Sequence, residues 1–160
     1  MTREQFIRQV ELVQEAFRCF LLALCCGDSS LADDIAQESF VKAYLSIDGF
    51  SNVEKFRFWI FRIGYNTFVN SRRSRKIFCA YDEAQNVVSD ETADSAFRYE
   101  ALYTSLNRLT ENERTAILLF YMQNCSIKEI AGIMEVTPDA VKQYLSRGRR
   151  HLRALIDTEQ

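Results

Sequence analysis

The chain has 160 residues, of which 48% are hydrophobic and 26% charged, and its formal net charge is −2. This length allows one domain or two small ones with packed cores, and the near-neutral charge excludes a uniformly basic nucleic-acid binder. A single histidine and irregularly spaced cysteines argue against a structural zinc site. With one proline and five glycines there are few helix breakers, so we expect an all-α protein.

The cellular location is predicted from what the first residues contain. They mix both charges, unlike a signal peptide, and the apolar run at residues 19–26 is far too short to span a bilayer. We therefore expect a cytoplasmic protein, with its five cysteines (Cys19, Cys25, Cys26, Cys79 and Cys125) acting as small buried apolar residues in a reducing compartment. A redox role for the adjacent Cys25 and Cys26 is the alternative, although no cation lies beside them in sequence to activate a thiol.

Helical periodicity begins near residue 2 and continues to residue 26, with Phe6, Val10, Val13, Phe17, Leu21 and Leu24 on one stripe. Gly27 and Asp28 end this helix, and Ser29 or Ser30 is predicted to cap the next one. The second helix covers residues 31–47, and its core face contains Ala32, Ile35, Ala36, Phe40, Ala43 and Ile47.

The second helix also carries a face that does not belong to the core. Asp34, Gln37, Glu38, Val41 and Leu45 fall roughly opposite the core stripe. Aliphatic residues among acids on an outward face indicate a partner surface. The alternative is that Val41 and Leu45 are two ordinary exposed aliphatic residues.

A loop at residues 48–52 precedes a helix predicted over residues 53–75, which is aromatic in its first half and basic in its second. Aromatic rings beside arginines are typical of surfaces that bind single-stranded nucleic acid. The alternative is that most of the rings are core, which we expect for the side containing Phe56, Ile60, Ile63 and Thr67. Residues 62–76 contain five basic residues and no acid, whereas residues 81–94 contain five acids and no Lys or Arg. This acidic stretch without periodicity predicts a flexible linker.

The C-terminal part contains several helix start signals. Thr110 with Glu113 predicts the start of a helix over residues 114–123, and Ser126 with Glu129 forms a capping box. Thr137 then precedes the only proline, Pro138, at a first helical position. A short capped helix, a tight turn and a long helix form the helix-turn-helix pattern.

The long last helix has two chemically different faces. Val141, Tyr144, Leu145, Gly148, Leu152 and Leu155 lie on one side, and Asp139, Lys142, Gln143, Ser146, Arg147, Arg149, Arg150 and Arg153 lie on the other. The leading polar residues are expected to meet base edges and the later arginines phosphates. An ordinary helical hairpin with a solvated basic face remains the alternative.

Two groups of motifs together resemble a known family. The sequence DDIAQESF at residues 33–40, followed by WIFRIGYN at residues 59–66, resembles region 2 of bacterial sigma factors. The stretch at residues 109–114, the sequence SIKEIA at residues 126–131 and residues 141–152 resemble region 4. Because the chain carries these two regions and little else, it resembles the extracytoplasmic-function (ECF) group of the sigma-70 family.

The resemblance implies two small helical domains, residues 1–76 as region 2 and residues 97–160 as region 4, joined by the acidic linker at 77–96. It implies a factor that binds core RNA polymerase, directs it to specific promoters and assists DNA melting, without being an enzyme. Promoter DNA and an anti-sigma factor, including the membrane-spanning type, are the other expected partners. No cofactor, metal or small-molecule substrate is expected.

The resemblance also assigns roles to residues. Asp34, Gln37, Glu38, Val41 and Leu45 would bind polymerase. The minus-10 element would meet Ser51, Asn52, Lys55, Trp59, Arg62, Asn66, Arg72 and Arg73. The minus-35 element would meet Thr137, Asp139, Ala140, Lys142, Gln143, Ser146, Arg147 and Arg150.

Some residues depart from the family pattern. Thr110 and Asn70 stand where proline and aspartate are usual, and Ala140, Gln143 and Tyr144 replace common Thr, Ser and Arg, so a promoter sequence cannot be carried over. Two other functions stay open: a free-standing helix-turn-helix regulator that binds duplex DNA as a symmetric dimer, and a helical adaptor or anti-regulator that binds only protein.

Overall fold

A computed structural model describes the backbone of residues 1–78 and 93–158 and the side chains of residues 1–72, 100–155 and 157. Within these ranges the chain is helical and contains no strand. Seven α-helices follow one another: α1 (Arg3–Leu24), α2 (Ser29–Leu45), α3 (Phe56–Phe78), α4 (Ala93–Arg108), α5 (Glu111–Ile117), α6 (Ile127–Met134) and α7 (Pro138–Thr158). The predicted all-α fold is confirmed.

The first three helices form the first domain around an aromatic core. Phe17, Phe20 and Phe61 are almost fully buried, and the ring of Phe61 lies 5.4 Å from that of Phe17 and 5.2 Å from that of Phe20. Gly64 is required beside them, because a Cβ atom there would lie 2.5 Å from the Phe17 ring. The predicted core side of α3 is largely observed, with Phe56, Ile60 and Thr67 buried and Ile63 half-buried.

The helix caps predicted at α5, α6 and α7 are present, whereas the cap predicted at α2 is not. Thr2 and Gln5 form a capping box at the start of α1. Ser29 or Ser30 was predicted to cap α2, but neither does so. Instead Asp28 has the extended backbone of an N-cap, and its carboxylate accepts a hydrogen bond from the Leu31 amide at 3.1 Å. Three consecutive polar residues can each cap a helix, and the left-handed turn at Gly27 (φ +90°) places Asp28 at that position.

The second domain consists of α4 to α7, with α5 and α6 packed against α7. The helix predicted at residues 114–123 is divided: α5 ends at Ile117 and continues as a π-helix, Leu118–Met122. The capping box of Ser126 and Glu129 is present at α6, and the Thr137 hydroxyl accepts a hydrogen bond from the Ala140 amide at 3.2 Å.

Residues 79–92 lie outside the described residues. They include Cys79 and most of the acidic segment. Helix α3 continues to Phe78 and α4 begins at Ala93, so helical structure extends into both ends of the range predicted as linker, 77–96. None of the helices in the described ranges is long and apolar enough to cross a membrane.

The two domains are packed together, mainly through α3 and α6. The ring of Phe58 rests on Gly132, where a Cβ atom would lie 2.5 Å from the ring. The buried guanidinium of Arg114 donates hydrogen bonds to the carbonyl oxygens of Leu106 and Leu24, both at 2.9 Å, and thereby joins the second domain to the end of α1.

The cysteines are less buried than the sequence predicts. Cys125 is buried, Cys25 and Cys26 are half-buried, and Cys19 is exposed because it lies on the side of α1 away from the core. Burial raises the pKa of the Cys26 and Cys125 thiols, which reduces their thiolate fraction at neutral pH.

Candidate nucleic-acid interface

The outward face of α2 is fully accessible. Asp34, Gln37, Glu38, Val41 and Leu45 are all exposed, Val41 to 57% and Leu45 to 77%. At the C-terminal end of α2, a surface groove of about 440 Å³ is lined in part by Tyr44, Leu45 and Ile47. Leu45 therefore belongs both to this face and to a groove that Thr2, Arg3 and Asp48 also line.

The loop before α3 is held in place by aromatic stacking. The rings of Phe50 and Trp59 are stacked with their centroids 4.2 Å apart and an interplanar angle of 8°. The Asn52 side chain accepts a hydrogen bond from the Glu54 amide at 3.1 Å, while Ser51 and Lys55 are exposed. One face of Trp59 is consequently covered, and Asn52 has a local structural role in addition to any contact with DNA.

The arginines of α3 do not all face solvent. The guanidinium of Arg62 donates from both Nε, at 3.1 Å, and Nη2 to Oε1 of Glu135, and Arg72 forms an ion pair with Glu111. Both acids belong to the second domain. Asn66 is half-buried, and the side chain of Arg73 lies outside the described residues. The structure therefore brings two of the predicted minus-10 arginines against the other domain.

Between these two ion pairs lies Tyr65, on the same helix. Burial raises the pKa of its phenol, and the neighbouring Tyr144, Glu111 and Glu135 raise that pKa further. The phenol therefore remains protonated at neutral pH and keeps its hydrogen-bond donor.

The polar face of α7 is open to solvent over its first three turns. Asp139, Lys142, Gln143, Ser146, Arg147 and Arg150 are exposed, as is Thr137, while Ala140 is half-buried. On the opposite side, Val141 and Leu145 are buried, and a Cβ atom at Gly148 would lie 2.9 Å from Ile117. The amphipathic arrangement predicted from the sequence is present.

Arg149, predicted on the polar face of α7, is exposed and also contacts the π-helix. Its Nε donates to the Tyr121 hydroxyl at 2.7 Å, and its guanidinium lies 5.7 Å from the ring centroids of both Phe120 and Tyr121. Together with the 2.9 Å contact between His151 Nδ1 and Glu113 Oε2, this interaction fixes α7 against α5 and the π-helix.

Arg57, Glu111 and Glu135 were not among the predicted functional residues. Arg57 Nη2 donates to the backbone oxygen of Gln123 at 2.9 Å and to its side-chain oxygen at 3.0 Å. These residues matter through contacts between the two domains, for which helical periodicity contains no signal. The positive φ of Glu135, +58°, is likewise unexpected for a residue other than glycine.

Comparison with known proteins identifies the family. The family profiles described as Sigma-70 region 2 and Sigma-70, region 4 match residues 10–77 and 99–152. The ECF RNA polymerase sigma factor SigW of Bacillus subtilis is 31% identical over 142 residues, which cover 79% of this chain and 76% of SigW. The chain belongs to the ECF group of the sigma-70 family. This sigma factor directs RNA polymerase to promoters.

Other relatives agree with this assignment. The B. subtilis ECF sigma factor SigM is 29% identical, with 85% of each chain covered. Among solved structures, the sigma factor RpoE from Bartonella quintana, in complex with the anti-sigma factor NepR, superimposes with a TM-score of 0.82 at 24% identity and covers 97% of this chain and 98% of its own. CnrH in complex with the cytosolic domain of CnrY gives a TM-score of 0.76 at 22% identity, with 99% and 92% covered. These two structures show that the fold is shared.

Proposed function

We propose that three helices of this sigma factor bind three different partners. Helix α2 binds core polymerase, α3 with its preceding loop binds the melted minus-10 strand, and α7 binds the minus-35 duplex. The observation that carries the proposal is the exposure of Val41 and Leu45 among acids on one face of α2. Large exposed aliphatic residues surrounded by polar side chains are typical of a surface that is buried in a complex.

The polymerase-binding face combines apolar area with negative charge. Val41 and Leu45 supply the area that is removed from water on binding, and Asp34, Gln37 and Glu38 supply a polar rim. Glu38 pairs with Lys42 at 3.1 Å, but both side chains are about half-exposed. Such a pair is weak, so Glu38 remains available to a basic group on the partner.

The minus-10 surface is proposed to consist of Ser51, Asn52, Lys55, Trp59, Arg62, Asn66, Arg72 and Arg73. Small polar residues in the loop suit an unpaired base that has left the duplex stack, and the arginines suit the phosphates of a single strand. By holding that strand, this surface would assist DNA melting. A free-standing regulator that binds only duplex DNA would not require a surface for a single strand.

The minus-35 surface is proposed to consist of Thr137, Asp139, Ala140, Lys142, Gln143, Ser146, Arg147 and Arg150. The exposed leading residues of α7 would enter the major groove, where the amide of Gln143 can make a bidentate pair with adenine. Arg147 and Arg150 lie further along the helix and would bind phosphates. The Thr137 hydroxyl also caps α7, so this residue would position the helix as well.

The domain limits are proposed as residues 1–76 and 97–160, with residues 77–96 connecting them. We further infer that the protein works in the cytoplasm, where polymerase acts, and is not itself an enzyme, because the polymerase supplies the chemistry. The solved relatives RpoE and CnrH are in complexes with NepR, an anti-sigma factor, and with the cytosolic domain of CnrY. By analogy, an anti-sigma factor is the third proposed partner, including the membrane-spanning type.

The experiment that tests the α2 assignment is a titration of core polymerase with the double variant Glu38→Lys, Val41→Asp. We expect binding to weaken by at least about 2 kcal/mol, or roughly 30-fold, if these are central interface positions. Secondary structure and thermal stability should be retained, because both side chains are exposed.

The matched control is Glu11→Lys, Leu12→Asp, which makes the same changes at an exposed acid and an exposed aliphatic residue on α1. It should bind core polymerase like the wild type. Equal affinities for all three proteins would refute the α2 assignment. Wild-type protein that binds promoter duplex as a dimer without core polymerase would favour a free-standing regulator.

A further inference from the structure

Two polar contacts join α7 to the rest of the second domain, one on each side of the helix. On one side, the Nε atom of Arg149 donates a hydrogen bond to the Tyr121 hydroxyl at 2.7 Å. On the other side, His151 Nδ1 lies 2.9 Å from Oε2 of Glu113. Because a carboxylate only accepts hydrogen bonds, the Nδ1 atom is the donor in this second contact. We call these two interactions the flanking contacts of α7.

The flanking contacts lie on opposite sides of the buried face of α7. At about 100° per residue, Arg149 lies about 80° to one side of Val141 and His151 about 80° to the other. Val141 and Leu145 are buried between these two directions. Gly148 lies there too, where an added Cβ atom would be 2.9 Å from Ile117 of α5. The helix is therefore bound on both sides of its apolar face, next to its close approach to α5.

This arrangement fixes the rotation of α7 about its own axis. Apolar packing is not directional, whereas hydrogen bonds depend on distance and angle. Side chains extend about 5–6 Å from a helix axis, so a rotation of about 20° moves the end of a side chain by about 2 Å. A hydrogen bond to a base edge does not survive such a displacement. The flanking contacts therefore set the direction in which Gln143, on the opposite face, would enter the major groove.

The contact with Glu113 is suited to this role because the carboxylate is buried. The side chain of Glu113 is 4% exposed, while that of His151 is 52% exposed. Glu113 is also fixed at its backbone, because its amide donates to the Thr110 hydroxyl at 3.2 Å in the capped first turn of α5. A buried carboxylate that loses its hydrogen-bond partner is unfavourable. Rotations of α7 that withdraw His151 from Glu113 are therefore disfavoured.

The contact with Arg149 combines a hydrogen bond with two aromatic rings. The guanidinium lies 5.7 Å from the ring centroids of both Phe120 and Tyr121. These residues are consecutive in the π-helix, and their rings are 5.0 Å apart at an interplanar angle of 76°. π-Helical turns are frequent at functional sites. Here the π-helix presents two consecutive rings to one guanidinium of the recognition helix.

We propose that the four residues of the flanking contacts are positioning residues for promoter recognition: they fix the rotation of α7 and thereby determine which bases of the minus-35 element the protein prefers. Glu113 and Tyr121 lie behind the helix, on α5 and the π-helix, and are not part of the proposed DNA surface. The inference rests on the proposed role of α7 in binding the minus-35 duplex. It adds to that role the residues that set the base preference without touching DNA.

The test measures base preference in holoenzyme, by competition among promoters that carry every single-base change in the minus-35 element. The variant Tyr121→Phe, His151→Leu removes the hydrogen bond from both flanking contacts. We expect the ratio of binding to preferred and changed sequences to fall about 10-fold, which is within the range for loss of one bidentate base contact. The salt dependence of binding should not change, because the arginines proposed to bind phosphates, Arg147 and Arg150, remain.

A conservative variant separates positioning from general stability. Asparagine has an amide donor close to the position of the histidine Nδ1 atom, so His151→Asn should retain the base preference that His151→Leu loses. A merely less stable domain would bind all sequences more weakly and would leave their ratio unchanged. Thermal unfolding and circular dichroism measure folding of each variant. Tyr121→Phe alone removes one hydroxyl from an exposed ring, and should lower the ratio about 3-fold even where the leucine variant does not fold.

The matched control is Asn107→Leu, which replaces a polar side chain by leucine at an exposed position of α4 in the same domain. It should show the wild-type preference. The proposal is overturned if the double variant keeps the wild-type ratio, if the control loses as much, or if His151→Asn loses as much as His151→Leu. Wild-type holoenzyme without any preference among minus-35 sequences would instead overturn the proposed role of α7.

Discussion

The two basic helices of this sigma factor, α3 and α7, differ in whether their basic side chains are paired with another part of the protein. On α3, Arg62 and Arg72 are paired with acids of the second domain. On α7, the side chains proposed to meet DNA are exposed, and Lys142, Arg147 and Arg150 form no ion pair with a described residue. Similar sequence features, a run of basic residues on a helix, therefore lead to one surface that is paired with the other domain and one that is open to solvent.

This difference has a consequence for the order of events. The open face of α7 is available to duplex DNA whether the domains are together or apart. Arg62 and Arg72 of α3 are paired with carboxylates of the second domain as long as the domains stay together. With the roles proposed for these two helices, strand binding would be conditional on opening, while duplex binding would not.

Among the substitutions that test the difference between the two basic helices, Gly132→Leu is expected to have the largest effect, because it disturbs the packing of α3 against α6. A Cβ atom at this position would lie 2.5 Å from Cζ of Phe58, so a leucine cannot fit while α3 and α6 remain packed. We expect the closed arrangement, in which the two domains are packed together, to lose about 3 kcal/mol, the upper end for overpacking, and the radius of gyration measured by small-angle X-ray scattering to increase.

Gly49→Leu is the matched control, because nothing lies within 4 Å of a Cβ atom at Gly49. It should leave the radius of gyration unchanged. If Gly132→Leu also leaves the radius unchanged while remaining folded, the Phe58 contact does not hold the domains together, and the two basic helices differ less than we infer.

The next largest effect is expected from substitutions on the exposed polar face of α7. Gln143→Ala should cost roughly 1–3 kcal/mol on the preferred minus-35 sequence and relax the preference at one base pair. Arg150→Ala should weaken binding to all sequences about equally and reduce the salt dependence by about one phosphate contact. Both variants should be measured in holoenzyme by competition between promoters at several salt concentrations.

The two variants serve as controls for each other, since both side chains are exposed on the same helix face. A change of base preference in Arg150→Ala together with none in Gln143→Ala would mean that α7 enters the groove in a different orientation. Neither substitution should alter the closed arrangement, because both side chains are exposed.

The smallest effect is a change in the chemical reactivity of Cys26. Burial raises the pKa of this thiol, partly offset by the nearby charges of Arg114 and Arg72. A raised pKa means less thiolate at a given pH, so alkylation by iodoacetamide near pH 8 should be slow in the closed protein. In Gly132→Leu the thiol should become hydrated, its pKa should fall, and alkylation should accelerate several-fold.

Mass spectrometry of the alkylated peptides measures this rate, and Cys19, which is exposed on α1, provides an internal reference that should react equally in both proteins. An unchanged rate at Cys26 despite an increased radius of gyration would show that its burial comes from the first domain alone.

The sequence by itself determined the helices and their exposed faces. Capping residues such as Ser126 with Glu129, and Thr137 before Pro138, have local chemistry that specifies a helix start wherever the segment is placed. The outward face of α2 and the two faces of α7 follow from helical periodicity in the same way. Where several consecutive residues can each cap a helix, the local sequence does not decide among them. At α2 the cap is Asp28 and not one of the two serines that follow it.

Only the tertiary structure decided which of these faces is covered. Arg62 and Glu135 are 73 positions apart in the chain, and nothing in the periodicity of either helix indicates that they meet. Phe58 of α3 packs against Gly132 of α6, and this close approach of the two helices is not encoded in the periodicity of either one. Interactions within a helix are specified by spacing in the sequence, whereas interactions between domains are specified by the shapes of two assembled surfaces.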